Sequence, residues 1–171
     1  MLSALYYSWA MKKEEKTNVM RLLEQKKVPY KEHLYYDFDS TKGTDIAAHM
    51  GEDPERAMKT LVTTGKTGQH YVFVLPAAEE LDLKKAAKAV GEKSIEMLPQ
   101  KELLPLTGYV HGGCSPIGMK KVFPTVFHKS AEEYETILFS GGKVGSQVEV
   151  ALSDLSQILR YTVADITKDS E

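Results

Sequence analysis

Two β-rich runs, Lys59–Thr64 and His70–Leu75, lie on either side of Gly65-Lys66-Thr67-Gly68. A short glycine-containing connection between two such runs is the local signature of a hairpin. The strongest helical signal of the chain follows directly. Asp82 can cap it, Leu83, Ala86, Ala87 and Val90 share one face, and Gly91 ends it. Lys84, Lys85 and Lys88 fall on the other face. Any fold for this chain must therefore place a helix against an antiparallel pair of strands.

The flanking segments add to both element types. Val19, Leu22 and Leu23 are spaced for a helix over about Glu14–Lys27, stopped before Pro29. Tyr30–Tyr36 alternates and reads as a strand, Asp37–Gly43 as polar loop, and Asp45–Met50 as a short helix ending at Gly51. Gln100–Leu104 reads as a second short helix. Val122–Phe127, Glu135–Ser140 and Gln147–Ala151 read as strands, the last two joined by Gly141-Gly142-Lys143-Val144-Gly145. A final helix is expected from Ser153 as its N-cap, with Leu155, Ile158 and Leu159 on its apolar face. Hairpins mixed with helices favour an α+β fold with a mixed, barrel-like sheet over a regular doubly wound one.

The 171 residues suit one domain with one core, expected over residues 11–171. Residues 1–10, MLSALYYSWA, are apolar without a preceding positive charge and make a poor signal peptide. They read as an N-terminal extension before a natural start at Met11. The longest apolar run, about Tyr71 to Ala78, is far shorter than the ~20 residues of a membrane span. A single cysteine, Cys114, excludes an intramolecular disulfide and suits a reducing, cytoplasmic setting. Net charge is −2, whereas proteins that grip long nucleic acids carry a basic excess. DNA binding is not expected, and contact with any nucleic acid should be local.

Several kinds of chemistry fail on spacing. No two of the five histidines have the HExxH separation, and the lone Asp37-Phe38-Asp39 reads as a solvated turn, so no metal is expected. Gly113 and Gly118 bracket four residues as in a P-loop, but Met119-Lys120-Lys121 lacks the Lys-Ser/Thr pair. Cys114 and Ser115 sit outside any GxSxG elbow. Cys114 could act only with a base such as His111. The loop His111–Gly118 is either a tight turn or a cluster of N–H groups able to hold an oxyanion. Lys59 is either a surface lysine or one reaching a cleft to meet phosphate or developing charge. The residues alone leave both pairs of readings open.

Four stretches together resemble one family. They are Met58-Lys59-Thr60-Leu61, Leu81-Asp82-Leu83-Lys84-Lys85, the loop Gly112–Gly118 with Lys120-Lys121, and Phe139-Ser140-Gly141-Gly142-Lys143. In this order and spacing they resemble the YbaK/EbsC family, relatives of the editing domain inserted in some prolyl-tRNA synthetases. The resemblance covers roughly Val19 to Ile166. It implies a barrel-like β core surrounded by helices, and deacylation of mischarged tRNA, typically Cys-tRNA(Pro) or Cys-tRNA(Cys), without a cofactor.

By the same resemblance Lys59 matches the essential lysine and Gly112 the glycine whose backbone lines the substrate carbonyl; the N–H groups of Gly112 and Gly113 are expected to serve the carbonyl oxygen. Tyr35, Thr60, Ser115, Ser140 and Gln147 are expected to bind substrate. Partners implied are the aminoacyl-tRNA acceptor end and prolyl-tRNA synthetase. The chain departs from the family at Gln147, where an aspartate is expected, near Lys42, where an aromatic is expected, and at Cys114, which replaces an aliphatic residue.

The absence of a protein nucleophile then has an explanation. A cysteinyl ester carries its own thiol, which can attack the ester carbonyl and leave as a thiolactone. The protein need only hold the attacking geometry and stabilise the oxyanion. Three other readings stand beside this one. They are a water-mediated deacylase for a substrate such as Ala-tRNA(Pro), a non-catalytic tRNA- or nucleotide-binding module of the same fold, and a hydrolase using Cys114 with His111.

Overall fold

The computed structural model describes residues 16–35 and 53–169, together with 45, 46, 48 and 51. The apolar stretch 1–10, the expected loop 37–43 and parts of the expected helix over 45–50 lie outside them. Asp45, Ile46 and Ala48 are helical, as the sequence reading has it.

Helix α1 spans Asn18–Gln25, its N-terminus capped by Thr17, whose Oγ1 accepts from Met20 N at 3.2 Å. Lys27, at φ 57°, then turns the chain out of the helix before Pro29. Strand β1 is Lys31–Leu34, and β2 (Met58–Gly65) pairs antiparallel with β3 (His70–Pro76) as the hairpin signal predicts. Helix α2, Leu83–Val90, takes the expected caps. Asp82 accepts from Lys84 N and Lys85 N, and Gly91 closes the helix at φ 74°.

A short strand β4, Ile95–Met97, precedes α3, Gln100–Thr107. The sequence reading misses β4 and ends α3 at Leu104. The helix instead runs through Pro105, and Thr107 Oγ1 donates to Leu103 O at 2.7 Å. Strand β5 is Thr125–His128, starting later than Val122 because Val122 is 88% exposed and Pro124 has no N–H for a ladder. Strands β6 (Ile137–Ser140) and β7 (Ser146–Val150) form the second expected hairpin.

The expected final helix is not α-helical. Residues Leu152–Gln157 form a 3₁₀ helix after Ala151, with no side-chain cap from Ser153. Between Val150 and Tyr161 the chain crosses from the smaller sheet to the larger one. It then enters β8, Tyr161–Ala164, a strand the sequence reading does not contain.

Two sheets result, ordered β1-β7-β6 and β4-β2-β3-β5-β8. The larger is mixed, since β3, β5 and β8 run parallel while β2 and β4 pair antiparallel. The sheets meet through a bridge between Ala57 and Leu138 but do not close into a hydrogen-bonded barrel among the described residues. Strand β3 is buried on both faces, which explains its unbroken apolar run. Tyr71, Phe73 and Leu75 pack with Ala86, Ala87 and Ile166 on the α2 side. Val72 and Val74 pack with α1 and the smaller sheet, against Val19, Leu23, Phe139 and Val148.

Candidate active site

A cleft of about 520 Å³ opens where the start of β2 faces the β6–β7 hairpin. Lys59 and Thr60 enter it from β2, Ala77 and Ala78 from the segment after β3, and Ser140 and Gln147 from β6 and β7. Tyr35, just beyond β1, and the Gly112–Cys114 loop complete the wall. Antiparallel register places Ser140 opposite Gln147, and Gln147 in turn opposite His33. Residues far apart in sequence therefore converge because strand pairing fixes them there.

Lys59 is half-buried, and its ammonium has no hydrogen bond or ion pair among the described residues. Burial lowers its pKa, with Glu80 and Glu79 opposing the change. A half-buried cation without a partner is available to an anionic ligand or to charge developing in a reaction. Thr60 Oγ1 and Gln147 Oε1 are both buried and both without a hydrogen-bond partner. Gln147 is 4% exposed, so this acceptor is costly to leave unpaired unless something in the cleft donates to it. Tyr35 is also buried, and desolvation raises its hydroxyl pKa. Ser140 Oγ accepts from Gly142 N at 3.1 Å, which fixes the hairpin turn beside the cleft.

The glycine loop divides its roles. Gly112 lines the cleft at φ 84°, and its N–H has no partner among the described residues. Gly113 does not line the cleft. Its N–H donates to Val110 O at 2.9 Å, so that amide is spent on the turn. A Cβ on Gly113 would stand 3.1 Å from backbone atoms of Lys143 and Val144, so glycine lets the two loops touch. Ser115 is fully buried behind the loop, its Oγ unpartnered and away from the cleft lining. At Gly118 a Cβ would stand 2.6 Å from the Tyr109 hydroxyl, which donates to Ile117 O at 2.6 Å and anchors the loop.

Cys114 lines the cleft, but burial pushes its thiol up to about 12. The thiol stays protonated at neutral pH, and His111, which lines the same cleft and is exposed, makes no hydrogen bond to it. A thiolate nucleophile needs a lowered pKa, so this environment works against one. The sequence reading did not assign Met58, Leu61, Ala77, Ala78 and Leu103 to the cleft. Among the described residues no group of three or more His, Cys, Asp or Glu is placed to hold a metal ion. No helix among them is long and apolar enough to cross a membrane.

Comparison with known proteins identifies the family. The family model for the aminoacyl-tRNA editing domain matches residues 40–158. A protein of Enterococcus faecalis, named as a candidate Cys-tRNA(Pro)/Cys-tRNA(Cys) deacylase, EbsC, is 46% identical over 157 residues, covering 91% of this chain and 96% of that one. A proline–tRNA ligase of Pelobacter propionicus is 34% identical over 77 residues, 45% of this chain and 13% of the ligase. The crystal structure of a candidate trans-editing enzyme for prolyl-tRNA synthetase superposes with a TM-score of 0.76 at 24% identity. It covers 89% of this chain and 96% of its own. By this family match and by the near full-length relative, the chain belongs to the aminoacyl-tRNA editing domain family and is an enzyme of the deacylase type.

Proposed function

We propose that this protein releases cysteine from mischarged tRNA, with Cys-tRNA(Pro) and Cys-tRNA(Cys) as substrates. The observation that carries the reading is the cleft itself. It gathers an unpaired half-buried lysine, a free loop amide and two orphaned acceptors, around a cysteine whose thiol is held protonated. Such a site can orient and stabilise, but it offers no activated nucleophile of its own.

The substrate's thiol supplies the attack. It bonds to the ester carbonyl carbon and gives up its proton, and the carbonyl oxygen becomes an oxyanion facing the Gly112 N–H. The bond to the ribose oxygen then breaks, that oxygen takes a proton, and a thiolactone leaves with free tRNA. Lys59 anchors the terminal ribose–phosphate or supports the developing charge, while Gly113 holds the loop. Thr60, Ser140, Gln147 and Tyr35 shape the space around the amino acid, and Ser115 supports the loop from behind.

A second reading rests on Gln147. Its unpartnered Oε1 can hold a water as well as a substrate group, which suits a water-mediated route for a substrate without a thiol, such as Ala-tRNA(Pro). The segment shared with a proline–tRNA ligase supports a substrate in common, the aminoacyl-tRNA acceptor end; prolyl-tRNA synthetase as docking partner and the cytoplasm as the setting are parts of the same proposal. Deacylation of Cys-, Ala- and Pro-tRNA(Pro) in parallel separates the readings. Loss of cysteine alone supports the thiol route, and loss of alanine supports water. Stoichiometric binding without turnover on any of the three would overturn the proposal.

A further inference from the structure

A second cavity, of about 370 Å³, lies next to the cleft and shares Ala78 with it. Its polar lining comes from Glu55, Glu79, His128, Ser130, Tyr134 and Thr167. None of these has a part in the chemistry described above.

Three observations mark the cavity as built to take a ligand. His128 is 7% exposed, and its Nδ1 accepts from Ile166 N at 3.2 Å. That bond fixes the tautomer. A neutral ring must carry its hydrogen on Nε2, and nothing among the described residues accepts it. Burial lowers the pKa of His128, against the Asp165 carboxylate 4.0 Å from Nδ1, which favours the neutral ring. Next, Ser130 Oγ is buried without a partner. Third, Glu79 lines this cavity directly after Ala78, the residue shared with the cleft, so a carboxylate stands next to the junction of the two spaces. Glu55 is engaged by the Tyr134 hydroxyl at 3.3 Å, which leaves Glu79 as the acceptor open to a ligand.

The cavity thus offers N–H and O–H donors beside a carboxylate. It does not suit phosphate, because Glu55 and Glu79 would repel one. It does suit a ring nitrogen next to an exocyclic amino group, which accepts on one atom and donates from the next. Adenine and cytosine both present that edge, and the 3′ end of tRNA contains both.

We propose that this cavity is a nucleobase subsite, in which His128 Nε2–H donates to the ring nitrogen and Glu79 accepts from the exocyclic amino group of a base at the tRNA 3′ end, with Ser130 on the same wall. The inference rests on the chain's acting on tRNA ends, as proposed above. His128 and Glu79 act as binding residues and take no part in bond breaking.

The test is a titration of the protein with the uncharged dinucleotide CpA, followed by the His128 ring signals in NMR. Two analogues separate the sources. One lacks only the 4-amino group of cytosine, the other only the 6-amino group of adenine. CpA should shift the His128 signals, and deleting one of the two amino groups should weaken binding roughly tenfold or more, the cost of leaving Glu79 unmatched. Glu79→Ala, which removes the acceptor oxygens, should abolish that discrimination between CpA and the analogue. His128 signals unmoved by CpA, equal binding of all three ligands, or discrimination that survives in Glu79→Ala would each overturn the proposal. The readout does not depend on turnover. Failure of deacylation with His128 still responding would sink the proposed function alone, and deacylation without that response would sink the subsite alone.

Discussion

Gly113→Ala tests the division of labour within the glycine loop. The added Cβ meets three atoms, Lys143 C and Cα and Val144 N, each at 3.1 Å. All three are backbone, so none can swing aside as a flexible side chain would. The φ of Gly113 lies outside the left-handed region, so the cost is steric and not conformational. Relief requires the 111–118 loop and the β6–β7 turn to part by a few tenths of an ångström. Overpacking of this kind costs about 1–3 kcal/mol. For a chain of this length, 1 kcal/mol moves Tm by roughly 2–4 °C, so a loss of several degrees is expected. The same movement carries Gly112 N–H away from the oxyanion we propose it serves, and removing one such donor costs about 100-fold or more in kcat. The assay is a thermal melt together with steady-state deacylation kinetics, and the expected pattern is a fall in kcat with little change in KM. A variant with the parental Tm and kcat would show that the two loops do not need this close approach, and would refute the reasoning.

Other expectations follow from separate parts of the structure. Cys114→Ala should keep most of the activity, measured as amino-acid release, because its thiol is protonated at working pH. Glu149 is pushed up by burial. It is brought down on balance to about 2 by hydrogen bonds from Thr136 and His33 and by the Arg56 guanidinium, from an ordinary value of 4.5. Its contribution, up to about 3 kcal/mol, is therefore full above pH ~4.5 and lost as pH falls toward 2. Urea midpoints should drop over that range in the parent protein and much less in Glu149→Gln. Phe73, fully buried in β3 between β2 and β5, should cost about 3–5 kcal/mol when replaced by alanine, read by urea denaturation.

What the sequence makes legible is local. The β2–β3 hairpin and the α2 caps at Asp82 and Gly91 depend on residues within one turn of each other, and both are as the pattern implies. Strands β4 and β8 are not legible, because each is short and exists through its distant partner, Thr63–Gly65 for β4 and Thr125–His128 for β8. The 3₁₀ segment Leu152–Gln157 carries a helical pattern, but the crossing between sheets overrides it. In the cleft, the resemblance picks out Lys59, Thr60, Ser140 and Gln147, which lie on paired strands, and Tyr35 and Gly112, which lie on loops beside them, all six of which the fold does bring together. It cannot tell which loop groups face the space. Gly113 and Ser115 turn away, and only backbone geometry decides that. Ala77 and Ala78 carry no chemistry, so they signal little before the cleft is seen.

The central claim is that an orienting cleft with an unpaired lysine deacylates a thiol-bearing substrate. Release of amino acid from Cys-tRNA(Pro), measured beside Ala-tRNA(Pro) with the parent protein and Lys59→Ala, tests it most directly. The account predicts rapid loss of cysteine and not alanine, with Lys59→Ala slowed by about 100-fold or more. Undiminished release of cysteine by Lys59→Ala would contradict it.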